Sequence, residues 1–422
     1  MTAEPTTTTT TTPPTIVLAG LSVRAAAQAA QREGFQVLAL DAFGDRDTRD
    51  ACAQWGELAL EADQPWQIDL TGLDAALRAL DAPPGTPLML TSGLAAEGAD
   101  AGRWITRWEL DLGLRLAGQR PHNAEPLRDP RRFFATLDAL GIAHPPVTFT
   151  PPADPAGWLR KDFGAAGGGH IQRVRPDEAD VAAPGPRVYW QREVAGAPLS
   201  LTLLADGQRA ALLGINRQRL APTADAPWRF GGVIGPLPLP PELAERLQPR
   251  LDALAAHFHL QGLASVDLIA PAAAPDDPSR ALLLEINPRW SASAALYGGD
   301  AGTGLIQAHL DACAGRLPDA ASLAALRPPP GRLRGVAPLY TDAPLDLDER
   351  RWAVLVDAAR SAGGTRLHDL PATPRHFGAG EPVCSISAVG GNAAAVEQAL
   401  QLDLIGWLAF LHGAASEPPP PL

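Results

Sequence analysis

The apolar positions of the chain change period several times, and each change marks an element. "TIVLAG", ending at Gly20, is a short β-branched run of the kind that forms a buried strand. "SVRAAAQAAQREG" follows with helical spacing, Ser22 placed to cap its start and Gly34 to end it. "FQVLALD" predicts a second strand that closes on Asp41. Strand, helix and strand within about 26 residues make a βαβ unit, so a parallel sheet opens the protein. Ligands of such sheets sit beyond the carboxyl ends of the strands. That places Ser22, Arg24, Asp41, Asp45 and Asp47 near a crevice; a cap and a solvated loop are the plainer alternative. The first turn lacks Gly-x-Gly-x-x-Gly, which argues against a dinucleotide-binding domain.

Further along, "DPRRFFATLDALGIAHPPV" predicts an amphipathic helix stopped at Gly141. "RVYWQREV" and "LSLTLLADGQRAALLGINRQ" predict antiparallel strands, the second stretch turning at Asp206-Gly207. "LASVDLIA" and "ALLLEINPR" predict two more, joined by a Pro/Asp-rich loop centred on Asp276. After "RPPPG", the runs "GVAPLY", "HDLP" and "GEPVCSISAVG" predict a small β-rich module, followed by a terminal helix over "NAAAVEQALQLDLIGWLAFLHG". The Thr-rich start and the closing "ASEPPPPL" are low-complexity and expected to be disordered.

Composition narrows the class. The 422 residues suffice for two or three domains, and 46% hydrophobic with 19% charged content describes a globular protein. No apolar run is expected to span a membrane. A net charge of −12 without a basic stripe argues against nucleic acid. Three scattered cysteines, Cys52, Cys313 and Cys384, fit a reducing compartment, and the opening residues lack the basic and apolar regions of a signal peptide. The expected location is cytoplasmic.

Two patterns carry chemistry. Asp267 and Glu285 are nearly symmetric about the hairpin loop, so they should face each other on neighbouring strands, with Asn287 on the same face as Glu285. Converging oxygen side chains suit Mg²⁺, which takes one or two carboxylates and completes its shell with waters and phosphates; Mn²⁺ is the alternative. Arg289, two residues on, adds a cation to that side. The second pattern is "WLRKDFGAAGGGH". Of 35 basic residues 34 are arginine, and Lys161 is the one lysine. The glycines beside it let backbone N–H groups approach phosphate oxygens, yet the order is not that of a Walker A loop.

A lysine followed by a Gly-rich loop, with Glu-x-Asn far downstream, resembles the ATP-grasp superfamily over residues 123–318. The resemblance implies an α/β chain (an α+β core) with the ATP-grasp fold, an N-terminal βαβ domain before it and the small C-terminal β-rich module after it. It implies ATP and Mg²⁺ as cofactors. Lys161 would bind phosphate with Gly167, Gly168 and Gly169, and Gln191, Glu193 and Val194 would line the adenine site. Asp267, Glu285 and Asn287 would hold the metal. Lys161 and Arg289 are the implied catalytic residues. The departures are Arg192 in place of the hinge acid after Gln191, Pro198-Leu199 in place of an acidic residue often found nearby, and an absent earlier lysine, for which Arg128 or Arg131 is the candidate substitute. "GLSVRAAAQAA", "LGINRQ", "FGGVIGP" and "EINPRWSAS" are similar to a bacterial group linked with one-carbon cofactor biosynthesis, itself similar to tyramine–glutamate ligases.

The expectation is therefore an ADP-forming carboxylate–amine ligase that joins glutamate to tyrosine or tyramine through an acyl phosphate. Arg24, Arg217, Arg229 and Arg289 are candidates for the substrate carboxylates, and Trp228 and Phe230 for an apolar wall. A biotin-carboxylase-like or purine-pathway-like ligase, or a nucleotide-binding regulator, is the alternative. Expected partners are a small-molecule carboxylate and amine, no nucleic acid and no membrane, with a homodimer as the candidate assembly. Expected boundaries are a tail at 1–14, the N-terminal domain at 15–120, the ATP-grasp domain at 121–320, the C-terminal module at 330–413 and a tail at 414–422.

Overall fold

The computed structural model describes residues 13–62, 64–93, 98–163, 167–174, 187–272, 277–298, 304–361 and 367–420. The opening βαβ unit forms as its pattern dictates. Strand Thr15–Gly20 pairs in parallel with Gln36–Asp41 on one side and Pro87–Leu90 on the other. Gln54–Glu57 and Arg115–Leu116 complete a five-stranded sheet. Helix Arg24–Arg32 connects the first two strands, and Gly34 follows it at φ +83°, a left-handed conformation that glycine adopts without cost. Ser22 does not cap this helix. Val23 precedes it without a side-chain bond, and the Ser22 carbonyl instead accepts from the Thr91 hydroxyl at 3.2 Å.

Two more sheets follow. A four-stranded sheet runs in the order Gln172–Arg173, Trp158–Asp162, Val188–Arg192, Val147–Thr148. An eight-stranded sheet begins at edge strand Leu282–Asn287 and continues through Gln261–Pro271, Gly196–Asp206, Ala210–Leu220 and Phe230–Leu237. It does not stop there. Leu333–Tyr340, Pro382–Gly390 and Leu367–His368 extend it, with Val233 opposite Val336. The strands of the expected C-terminal β-rich module are thus the outer part of the same sheet. Its strands alternate buried and open positions, so continuing the neighbour's ladder pairs their edges while one apolar face is left for a covering helix.

Helix Pro241–Phe258 lays Leu247, Leu251, Leu254 and Phe258 on the sheet core built by Leu203, Leu212 and Val266. On the outer part, helix Ala393–Leu411 buries Val396, Leu400, Trp407 and Phe410 against Ala337 and Ile386. That helix bears on the expectation that no apolar run spans a membrane. It is 19 residues long with mean hydropathy 1.2, long and apolar enough by composition to cross a membrane. In the fold it is a covering helix with one face on the sheet. The C-terminal tail also differs from expectation, because Pro419 packs against Gly406 of this helix. Residues 1–12 of the N-terminal tail and residues 421–422 lie outside the described residues.

The N-terminal sheet is tied to the remainder by specific polar contacts. Glu33 accepts from the backbone N–H groups of Ile306 and Gln307, both at 2.9 Å, at the start of helix Leu305–Cys313. His309 on that helix accepts from Leu263 N–H at Nδ1 (2.9 Å), and its Nε2 lies 3.1 Å from the Ala117 carbonyl. At the far side Arg24 Nε donates to Asp369 at 2.8 Å.

Candidate functional site between two sheets

The hairpin register is the one the sequence symmetry demands: Asp267 lies opposite Glu285, and Ser265 opposite Asn287. The hairpin loop, including Asp276, falls outside the described residues. Asn287 Nδ2 donates to Asp267 Oδ2 at 3.2 Å and to Glu285 Oε1 at 3.1 Å, so the three side chains converge as expected. Arg289 sits beyond the strand end, because the chain turns at Pro288, yet its guanidinium reaches back to Asn287 Oδ1 at 3.1 Å.

Lys161 comes from the other sheet. It lies opposite Tyr189, and Gln191, two residues on, shares its face. Lys161 Nζ donates to Gln191 Oε1 at 2.6 Å, and both side chains are buried. Burial pulls the Lys161 ammonium below its ordinary value, while the charges of Glu285 and Asp267 oppose that shift. The two sheets therefore meet through one cation and two anions. Burial, then the facing Glu285, pushes the Asp267 carboxyl well up. Two carboxylates this close disfavour full ionisation unless a cation comes between them. Glu285 remains accessible to water.

That donor set fits a hard divalent cation. Two carboxylates and an amide supply oxygen ligands, and the Asn287 amide now bridges both acids with its nitrogen. Turning the amide over would present its oxygen. Among the described residues no group of three or more His, Cys, Asp or Glu side chains could hold a metal ion. A two-carboxylate set suits Mg²⁺ in particular, because water and phosphate complete its shell.

One contributor was missed from sequence. Gln218 Nε2 donates to Asp267 Oδ1 at 2.9 Å and fixes that carboxylate. Its signal was alternation along "GINRQR": Gln218 turns to the carboxylates while Arg217 and Arg219, either side of it, both pair with Glu397 of the terminal helix. Arg217, a candidate for a substrate carboxylate, is paired instead with Glu397. Arg229 is engaged too, its guanidinium 3.9 Å from the Tyr340 ring centroid and donating to the Ala221 and Gly380 carbonyls. Arg24 is held by Asp369. Of the four candidate substrate arginines, the structure brings only Arg289 to the carboxylates.

The glycine loop is described from Gly167, and Gly164 lies outside the described residues. Gly168 has φ +77°, and a Cβ there would stand 2.0 Å from the Trp228 carbonyl oxygen. Phe230 N–H donates to Gly167 O at 3.2 Å, so the loop is docked on the Trp228–Phe230 segment. The Trp228 ring carries the Arg173 guanidinium at 4.9 Å, and Phe230 packs at the edge of the core. Glu193, Val194 and Ala195 form the short link from the four-stranded to the eight-stranded sheet. Glu193 pairs with Arg173 at 2.6 Å. Arg192, in the hinge-acid position, folds back to donate to the Ala156 carbonyl at 2.9 Å. Arg131 stacks over Phe149.

A lysine on one sheet and a Glu-x-Asn edge on the other, with the link between sheets running past them, define an ATP-grasp fold. Residues 128–293 match the family model described as an ATP-grasp domain. No curated protein matches the sequence. Among solved structures the chain is similar to N5-carboxyaminoimidazole synthetase from Staphylococcus aureus, with a TM-score of 0.63 and 13% identity over 93% of this chain and 98% of that one. It is similar to the L-amino acid ligase of Bacillus licheniformis, with a TM-score of 0.63 and 13% identity over 93% and 97%. A third is the biotin carboxylase domain dimer of Hydrogenobacter thermophilus 2-oxoglutarate carboxylase, solved with MgADP, ADP and bicarbonate. Its TM-score is 0.68, at 12% identity over 95% of this chain and 94% of that one. At such identities the likeness carries the fold and leaves the substrate open.

Proposed function

We propose that this chain is an ATP-dependent carboxylate–amine ligase that works through an acyl phosphate. The observation that carries the reading is the meeting of Lys161 with Asp267 and Glu285 across two sheets, with Arg289 at the same edge. Gln191, Glu193 and Val194 would line the adenine of a nucleotide held between the sheets, and Lys161 and Gly167–Gly169 would hold its phosphates. Asp267, Glu285 and Asn287 would hold Mg²⁺, which would supply neutralisation of phosphate charge. A substrate carboxylate oxygen attacks the γ-phosphorus and ADP leaves. An amine nitrogen then attacks the acyl carbon, phosphate leaves and an amide remains. Little covalent work falls to side chains, so positioning and charge compensation dominate. Lys161 moves a compact positive charge with the phosphates, a role its point-like ammonium fills better than a guanidinium plane. Arg289 clamps the carboxylate.

For substrates, glutamate joined to tyrosine or tyramine, in the service of one-carbon cofactor synthesis in the cytoplasm, is the reading that the likeness in "LGINRQ", "FGGVIGP" and "EINPRWSAS" supports. The test is ADP release with ATP and Mg²⁺ in the presence of glutamate and either amine, followed by mass spectrometry of the product. ADP release that needs an acid and an amine, with an amide mass, is the expected result. Release driven by bicarbonate alone would point to carboxylation, and nucleotide binding without turnover would reject the ligase reading.

A further inference from the structure

The chain that leaves edge strand Leu282–Asn287 turns at Pro288 and runs back over the face of the eight-stranded sheet that carries Asp267. Two rows of strand partners cross that face. Glu285, Asp267, Ser200 and Asn216 form one row, and Asn287, Ser265, Thr202 and Gly214 the next. Direct partners on antiparallel strands point to the same side, so Thr202 and Asn216 share a face with the carboxylates. The returning segment, residues 289–298, is fastened to both. Thr202 Oγ1 donates to Ser293 Oγ at 2.9 Å, and Ser293 Oγ lies 2.9 Å from Ser291 Oγ. Tyr297 OH donates to Asn216 Oδ1 at 2.8 Å, and Asn216 Nδ2 donates to Thr202 Oγ1 at 3.0 Å. Arg334, on outer strand Leu333–Tyr340, donates to the Gly298 carbonyl at 2.9 Å.

The network is buried: Thr202, Asn216, Ser293 and Tyr297 are 1%, 0%, 4% and 3% exposed. Burial pushes the Tyr297 phenol up, so it keeps its proton and donates. Two strand glycines make room for it. A Cβ on Gly214 would stand 2.5 Å from the Tyr297 hydroxyl, and one on Gly235 would strike Asn216 Oδ1. Glycine inside a strand weakens that strand, and apolar side chains of similar shape would cover the sheet about as well as paired polar ones. What the polar chain adds is one fixed position for the segment, since satisfied donors and acceptors tolerate little slippage. The segment begins with Arg289, whose guanidinium donates to Asn287 Oδ1 at 3.1 Å and feels the charges of Glu285 and Asp267.

We infer that Tyr297 and Asn216 are positioning residues for Arg289, holding the segment so that its guanidinium faces the carboxylate of the glutamate substrate. The inference deepens the ligase reading and rests on it. Between Arg289 and Tyr297 the chain is short, and Trp290 and Leu296 both pack in the core. A displacement at the Tyr297 end is therefore passed to Arg289. Bidentate contact between a guanidinium and a carboxylate needs the two planes aligned, so a small shift of Arg289 weakens the acid and leaves the nucleotide, held from the other sheet, in place. Arg334 brings the outer strands into the same task, because it holds the far end of the segment.

The experiment measures ADP release with ATP, Mg²⁺, a mixture of tyrosine and tyramine, and varied glutamate. The proteins are wild type, Tyr297→Phe, Ser293→Ala, Arg289→Lys and the double variant Tyr297→Phe/Arg289→Lys. Amide hydrogen exchange over residues 288–298 is followed in each. Tyr297→Phe is expected to raise the KM for glutamate about ten-fold while the KM for ATP stays within about two-fold. Exchange over 288–298 should rise with it. Ser293→Ala cuts the other end of the network and should act in the same direction, more weakly. In the double variant the phenylalanine should add little to the effect of the lysine, because coupled residues are not additive. A merely structural role would loosen the segment or lower the melting temperature and leave the KM for glutamate where it was. That outcome, equal rises in both KM values, unchanged exchange over 288–298, or additive effects in the double variant overturns the inference. A wild type without glutamate-dependent ADP release rejects the substrate reading and takes the inference with it. The two failures are told apart because one appears in the wild type and the other only in the variants.

Discussion

Lys161 Nζ stands 2.6 Å from Gln191 Oε1, a buried ammonium whose direct partner is neutral. The carboxylates of Glu285 and Asp267 act on it from the other sheet. A cation satisfied by a neutral amide stays available to a polyanion, whereas one locked in a close ion pair would first have to be released. Lys161→Ala is therefore expected to lower kcat/KM about 10²-fold or more, roughly 3 kcal/mol of transition-state stabilisation, with the melting temperature little changed. Lys161→Arg should rescue poorly, because the planar fork cannot occupy the same space. Wild-type turnover by the arginine variant would sink the assignment.

The hairpin acids predict a metal phenotype. Glu285→Gln, Asp267→Asn and Asn287→Ala should each raise the Mg²⁺ concentration needed for half-maximal rate, by about ten-fold or more. Gln218→Leu should shift the same titration less, since it removes only the bond that orients Asp267. Superimposable Mg²⁺ curves for wild type and all four variants would remove this edge from the site.

Gly168 offers a backbone test. Its φ of +77° and the 2.0 Å approach to Trp228 O leave no room for a Cβ, so Gly168→Ala must displace the loop. The expected result is a raised KM for ATP with the KM for the acid unchanged. A change confined to the acid would place the loop elsewhere in the reaction.

His309 predicts a pH dependence of stability. Burial pulls its value down to about 4 from an ordinary 6.5, and the ring stays neutral because Nδ1 accepts from Leu263 N–H. Its native pKa is depressed, so the unfolded chain takes up the proton first. The contribution is whole above about pH 6.5 and is lost as pH falls towards 4, roughly 3 kcal/mol in all. Urea unfolding at pH 7.5 and 5.0 should show a large loss for wild type and a smaller one for His309→Gln, whose amide can keep both bonds. Equal losses in the two proteins would assign the acid sensitivity to other groups.

How much of this was legible in sequence depended on the range of the signal. The opposition of Asp267 and Glu285 follows from hairpin symmetry and a two-residue period, and Lys161 stood out by being alone among arginines. The partners of Arg24 and Arg217 were not legible. Asp369 and Glu397 lie 345 and 180 residues away in sequence, and nothing local says which buried acid an arginine will meet. The fate of the C-terminal strands was hidden for the same reason. "GVAPLY" reads as a strand from its own composition, but its neighbour is chosen by an open ladder on Phe230–Leu237. Ser22 shows the reverse failure, a good local capping residue passed over because the helix starts one residue later, with Val23 in the cap position.

The eight-stranded sheet also sets the timetable of synthesis. Its middle strands emerge from the ribosome early, yet Phe230–Leu237 gains its second neighbour only after residue 333 is made, and the outer strands wait until residue 390. Through that interval the nascent chain carries an unpaired edge in the centre of its largest sheet, the kind of surface that recruits foreign strands. Expression stopped near residue 330, at the "RPPPG" break, should therefore give aggregate rather than a smaller nucleotide-binding domain, and the full chain should gain more from slowed translation or chaperone supply than a protein whose domains close one after another.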